Sequence, residues 1–396
     1  MFFGLLANLI LGRWMDPAEM GRFVFCQTVV VVTSVFFEFG ISSAGARVLA
    51  LAKDGDSERQ ALGALVLMTA VISLIFAVFI AIAAAPLDWF FQKDVRWLLI
   101  ATSALTVFQP FQLFIEQGCK GLNRIRQLSV FQLLTSVVFL AGLAVMTLAH
   151  KLTAGAALGA YFIGTGAAVI WVLIQLRPSF TAWRHYIRLA LKETRSFGLN
   201  MYLARISGLA SSRSDQLAIA YFVTDLTPLG NYALVQKFSN PIAMLGSSLA
   251  TTQFRTFASL SSVPRRILRW NAAILVSAAV ALIALGPTAL RLLFPKYAGA
   301  APLLVPFALM NLFVGLFQPY NSFLNAHGRG AELRNVVLVV GFATIAALLV
   351  TVPRFGIAGA AWTAAAAMAL DYALLLLYYR KFKRTVRERG QAQSAS

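Results

Sequence analysis

The stretch LGALVLMTAVISLIFAVFIAIAAA, residues 62–85, runs for 24 positions without one charged side chain. At a rise of about 1.5 Å per residue, a helix of that length reaches roughly 36 Å, enough to cross a hydrocarbon core of about 30 Å. A membrane β-strand would alternate apolar and polar residues over about ten positions, so a β-barrel is excluded. Working outward, runs of similar character recur in both directions. A short one occupies residues 1–12, and full ones lie at 23–41, 97–115, 128–148 and 155–176. Beyond a basic stretch come six more, at 199–223, 232–252, 270–290, 302–324, 335–352 and 357–379. The chain therefore reads as an all-α polytopic membrane protein of about twelve transmembrane helices.

Composition agrees. Of 396 residues, 59% are hydrophobic and 12% charged, against about 25% charged in a soluble domain. Lys and Arg number 34 against 15 Asp and Glu, a net charge of +19. In a soluble chain that excess would suggest nucleic acid, but here it orients the helices. One set of alternate loops together with the C-terminal tail carries 23 of the 34 basic residues, and the other set carries 8. The positive-inside rule then puts both termini in the cytoplasm. Trp14, Trp89, Trp97 and Trp270 stand at run ends, as interfacial anchors do. Cys26 and Cys119 lie in or beside apolar runs and suggest no disulfide, and nothing has zinc or haem spacing. No G-x-x-x-x-G-K-[ST] motif is present, so no nucleotide and no other cofactor is expected. The outer loops are too short for an external catalytic domain, which argues against an enzyme.

The two halves repeat. MDPAEMGRFVF at 15–25 aligns with TDLTPLGNYAL at 224–234, an offset of 209 that pairs Asp16 with Asp225 and Gly21 with Gly230. At the same offset FQPFQLF from Phe108 matches FQPYNSF from Phe317, and Lys120-Gly121 matches Arg329-Gly330. Six spans per half is an even number, so the halves insert with the same orientation. Parallel repeats of this kind place a substrate site between them and suit alternating access. The expected organisation is an N-lobe at 1–176, a basic interfacial linker at 177–198, a C-lobe at 199–379 and a basic tail at 380–396, with a central cavity. The repeat also serves as a ruler: Leu199 maps to a position about ten residues before Met1. Two readings follow: a native start upstream of Met1, which is the expectation favoured, or a first helix that is short and only partly inserted.

LGRWMDPAEMGRF and FEFGISSAGAR, followed later by RSDQLAIAYFVTDLTPLGNYALVQKF, LFPKYAGAAPLL and FLNAHGRG, occur in an order that resembles one family. That family is the lipid-linked oligosaccharide flippases, the polysaccharide-transporter branch of the multidrug/oligosaccharidyl-lipid/polysaccharide exporter superfamily. The resemblance covers nearly the whole chain. It implies movement of a polyprenyl-pyrophosphate-linked oligosaccharide between leaflets, with a polysaccharide polymerase and glycosyltransferases as pathway partners, and it leaves the sugar unnamed.

Ionisable side chains at membrane depth cost about 2.5–3.5 kcal/mol on insertion scales and are candidates for function. Arg205, Arg213, Asp215 and Lys237 form the expected substrate set. Counting helical rise, Asp215 and Arg213 sit about 12 and 15 Å below the outer surface, Lys237 about 8 Å below it, and Arg205 about 9 Å from the cytoplasmic end. Cations there would lower the barrier for a pyrophosphate by charge-assisted hydrogen bonding, and the run Ser211–Gln216 adds polar donors. The competing reading pairs Asp215 with Lys237 or Arg213 between packed helices. Glu38 and Asp371 are candidates for ion coupling, or else interfacial. Pro110 and Pro319, equivalent in the repeat, are candidate helix kinks. The basic segment from Trp183 to Arg195 reads as an interfacial helix on anionic lipid. Two other functions are open. A cation-coupled multidrug exporter would favour acids in a neutral cavity, and a membrane-embedded polymerase or ligase would need a large outer loop.

Overall fold

The computed structural model describes residues 2–52, 54–260 and 262–395, with the side chains of Phe2, Asn200, Ala204, Ser207, Ala210, Ser211, Ser212, Phe254, Arg255, Ala258 and 385–395 outside that description. Among the described residues the regular structure is helical. In order these are α1 (Phe2–Trp14), α2 (Pro17–Phe36), α3 (Ile41–Ala50), α4 (Gly55–Phe91), α5 (Arg96–Ser103), α6 (Phe108–Gly121), α7 (Ile125–Leu148), α8 (Ala154–Leu176) and α9 (Trp183–Glu193). The second half has α10 (Leu199–Phe222), α11 (Thr227–Ser239), α12 (Pro241–Ser259), α13 (Arg265–Leu293), α14 (Leu304–Ala326) and α15 (Gly330–Ala395). Gly356, at φ 56° and ψ −138°, divides α15 into two helical arms.

Eight of the described helical stretches are long and apolar enough to cross a membrane, and the last of them contains both arms of α15. The chain is thus a multi-pass membrane protein. The expected span order is present with two local differences. The span expected at 23–41 is broken between α2 and α3, where Phe39 and Gly40 take φ of 48° and 78°. The span expected at 232–252 is broken at Asn240, because Pro241 opens α12 and supplies no N–H for a continuing helix. Two helix starts, those of α4 and α8, carry side-chain caps. Asp54 accepts from the Ser57 N–H at 2.7 Å, and that bond holds its carboxyl below the usual carboxylate range. Thr153 caps α8 through the Ala156 N–H.

The chain clusters into two compact units, residues 1–209 with 224–230, and residues 210–223 with 231–396. The first unit has a core of Leu49, Leu65, Phe111, Phe114, Ile115, Phe131 and Val172. The second centres on Phe257, Tyr320, Phe323, Val340, Leu375 and Tyr379. Tyr379 also ties down the segment before α13, its hydroxyl oxygen accepting from the Val263 N–H at 3.0 Å.

Within the first unit the two copies of the Asp-x-x-x-x-Gly motif meet. A Cβ on Gly21 would strike the Leu226 carbonyl, and one on Gly230 would strike the Pro17 carbonyl. Pro17 and Leu226 are themselves 209 apart, so each copy presents its glycine to the same backbone position of the other. Beside this crossing, buried Lys93 donates to the Thr224 carbonyl at 2.9 Å, and burial lowers its amine from the usual range. Asp225 is held low chiefly by the Thr227 side chain.

Because a side chain at either glycine meets backbone, Gly21→Val and Gly230→Val should each cost about 1–3 kcal/mol or more. Thermal unfolding of the detergent-purified protein checks this. Gly55→Ala, where a Cβ meets nothing within 4 Å, should melt close to wild type.

Candidate functional site

The membrane-depth charges fall into two separate groups. In the first unit, Glu38 lies in the break between α2 and α3. Its backbone bends there, and the carboxylate turns inward to 5% exposure. Oε1 accepts from the Ser42 N–H at 3.1 Å, at the start of α3, and Oε2 lies 3.2 Å from Nη1 of Arg205 on α10. One turn before Arg205, the Tyr202 hydroxyl donates to the Phe36 carbonyl at 3.0 Å, satisfying the last turn of α2. Gly40 and Gly198 permit the approach, since a Cβ on Gly40 would collide with the Gly198 carbonyl. A π-helical turn, Thr194–Gly198, leads into α10 at this point. Glu38 is therefore buried and ion-paired, where the sequence leaves it open between coupling and an interfacial position. A buried pair of this kind gains little net stability, but losing one partner is costly.

In the second unit, Asp215 on α10 is 7% exposed. Oδ1 accepts from the Gln216 N–H at 2.8 Å. Oδ2 accepts from the Tyr232 hydroxyl at 2.6 Å and from Gln236 Nε2 at 3.4 Å. The network continues outward: Gln216 Nε2 donates to Gln236 Oε1 at 3.2 Å, and Arg213 Nη1 donates to Gln216 Oε1 at 3.3 Å. Tyr232 is fully buried, with its ring edge-on to Phe307 at 4.9 Å. Further along α11, Ser239 accepts from Asn311 Nδ2 at 3.0 Å. Asp215 is thus held by neutral donors and reaches Arg213 through Gln216. Lys237, next to Gln236 and half-buried, completes this group. The side chains of Ser211 and Ser212 lie outside the described residues.

The remaining expected residues are elsewhere. Asp371 is half-buried on the second arm of α15. Pro110 falls in the first turn of α6, directly after a 3-10 turn at Ala104–Val107, whereas Pro319 lies inside the unbroken helix α14. Tyr232 and Gln236 do not stand out in the sequence as partners of Asp215. Their spacing of four on α11 is the signal that could have found them, because it puts two polar groups on one helix face. No group of three or more His, Cys, Asp or Glu arranged to hold a metal ion exists among the described residues.

The arrangement can present cations at membrane depth while donors occupy the two buried acids, Glu38 and Asp215. A comparison with curated protein sequences returns no match. Among solved structures, the lipid II flippase MurJ in an inward closed conformation aligns with a TM-score of 0.76 at 14% identity, covering 96% of this chain and 85% of that one. An inward-facing multidrug resistance MATE family transporter of the MOP superfamily aligns at 0.73 and 14% identity, covering 98% and 95%. The MATE multidrug transporter DinF-BH, solved as a complex, aligns at 0.60 and 13% identity, covering 96% and 91%. These likenesses establish a shared fold. A family model described as "Polysaccharide biosynthesis protein" matches residues 1–261, well over half of the sequence, and the chain belongs to that family.

Proposed function

We propose that this protein moves a polyprenyl-pyrophosphate-linked oligosaccharide from the inner to the outer leaflet of a bacterial inner membrane, for surface polysaccharide export, by alternating access. The observation that carries the reading is the set of cations at membrane depth: of 34 basic residues only Arg205, Arg213 and Lys237 lie within the apolar runs. A pyrophosphate cargo needs such groups to enter a low-dielectric region, and Arg offers it paired donors. Family membership and the fold shared with a lipid II flippase support the same direction. The excess of Lys and Arg in one set of loops supports cytoplasmic termini. Polymerases and glycosyltransferases acting on the same lipid-linked sugar are the partners this function needs.

The geometry refines the roles. Arg205 rests on Glu38, so an incoming phosphate would compete with that carboxylate for the guanidinium. Glu38 then becomes the acid whose charge changes environment as cargo binds, which makes it the stronger of the two coupling candidates beside Asp371. Asp215, occupied by Tyr232, Gln216 and Gln236, serves to position Arg213 and α11 and does not itself meet an anion. The alternative of a multidrug exporter is less well supported, because a cationic drug would find Arg205, Arg213 and Lys237 repulsive.

Arg213→Ala should abolish complementation of a flippase-deficient strain at unchanged protein level, with Arg213→Lys partly active; full activity of the alanine variant would overturn its role. Arg205→Ala leaves Glu38 buried without its cation, a loss of the kind that costs about 3–5 kcal/mol. Adding Glu38→Gln should therefore restore protein level but not export. If export returns as well, Arg205 is structural and the competition reading fails.

Tyr232→Phe deletes the shortest bond to the Asp215 carboxylate and should cost about 1.5–3 kcal/mol. Thermal unfolding of the protein in detergent checks this.

A further inference from the structure

On the first unit, α9 and α4 enclose a groove of about 550 Å³ with Leu67, Val71 and Ile72 on one wall, Trp183 and Ile187 on the other, and Ile41 between them. All of these side chains are apolar. Its depth follows from α4. Trp89, 80% exposed near the far end of the helix, is an interfacial anchor. Leu67 is 22 residues before it, about 33 Å along the helix, which matches a hydrocarbon thickness of roughly 30 Å. The groove therefore opens at the opposite hydrocarbon boundary, the cytoplasmic one by the loop charges, and Trp183 stands at that level.

The rim carries positive charge. Arg184 stacks its guanidinium on the Trp183 ring, 5.2 Å from the centroid, which sets a cation at the groove wall. Arg188, one turn further along α9, is exposed, as is Lys192. The single acid of α9, Glu193, is turned to Arg47 at 3.5 Å. An apolar slot at acyl-chain depth with two arginines at headgroup level is complementary in shape and charge to one kind of occupant.

We infer that the α4–α9 groove is a binding site for an anionic phospholipid of the cytoplasmic leaflet, its acyl chain lying between Leu67/Val71 and Trp183/Ile187 and its phosphate held by Arg184 and Arg188. This goes beyond a basic helix resting on the membrane surface, because it assigns one lipid to one seat, and it does not depend on what the protein transports.

The test is native mass spectrometry of the full detergent-purified chain with added phosphatidylglycerol or phosphatidylcholine. The expected result is a retained phosphatidylglycerol adduct, bound roughly tenfold or more tightly than phosphatidylcholine. That preference should vanish in R184Q/R188Q and persist in R265Q/R266Q, which removes an equally exposed basic pair at the start of α13. Val71→Trp, which fills the slot and leaves both arginines, should also lose the adduct. Excess glycerol phosphate should not displace the lipid if the acyl slot contributes. Equal binding of the two lipids would overturn the proposal, as would equal losses in the two double variants, retention in Val71→Trp, or displacement by the free headgroup. The melting temperature of each variant separates lost binding from lost fold.

Discussion

Hydrocarbon offers no partner to a backbone amide or a charged side chain, and the rest of this structure follows from that constraint. The break between α2 and α3 shows how strictly it is met. The Phe37 N–H returns to the Thr33 carbonyl, the Glu38 N–H to Val35, and the Ile41 N–H to Glu38. The Ser42 N–H goes to the Glu38 carboxylate, and the Phe36 carbonyl receives the Tyr202 hydroxyl. These backbone groups flanking the interruption thereby find partners nearby, and the carboxylate that helps to close the break also neutralises Arg205.

The same constraint sets what each charge can do. An acid already surrounded by donors has little to offer an anion, and both deeply buried acids are in that state. Glu38 is held by Ser42 and Arg205, and Asp215 by Tyr232, Gln216 and Gln236. The cations differ. Arg213 has five N–H donors in a planar fork, and its bond to Gln216 engages one nitrogen of that fork. Residual donor capacity therefore remains on Arg213, a charge of the sign that the proposed oligosaccharide diphosphate would require.

Hydrophobic run length makes the helices legible, since a bilayer forces long apolar segments whatever the packing. It cannot show the breaks. The Phe39-Gly40 interruption depends on positive φ at two adjacent residues, and Phe39 carries no sequence sign of it. At Asn240-Pro241 the proline is a visible signal, masked because the run around it stays apolar. The site is half legible for a related reason. Arg205, Arg213, Asp215 and Glu38 stand out by cost in an apolar setting, but their partners follow from helix rotation. Tyr232 reads as the start of a span, and the fold makes it the closest donor to Asp215.

The repeat separates what packing requires from what the site requires. Gly21 and Gly230 survive at an offset of 209 because each lies against the backbone of the other copy, where no side chain fits. The membrane-depth charges that can be compared at this offset do not repeat. At the same offset Arg213 stands opposite Gly4, Asp215 opposite Leu6, Lys237 opposite Thr28 and Glu38 opposite Ser247. A duplicated scaffold with a purely structural need for those charges would have the same reason to hold them in both halves. The halves instead share their close-packed glycine contacts and differ in these charges, with Arg213 and Lys237 contributed by the second half and Glu38 by the first. Packing explains the symmetry, and the asymmetric cations are the part that the proposed anionic cargo would explain.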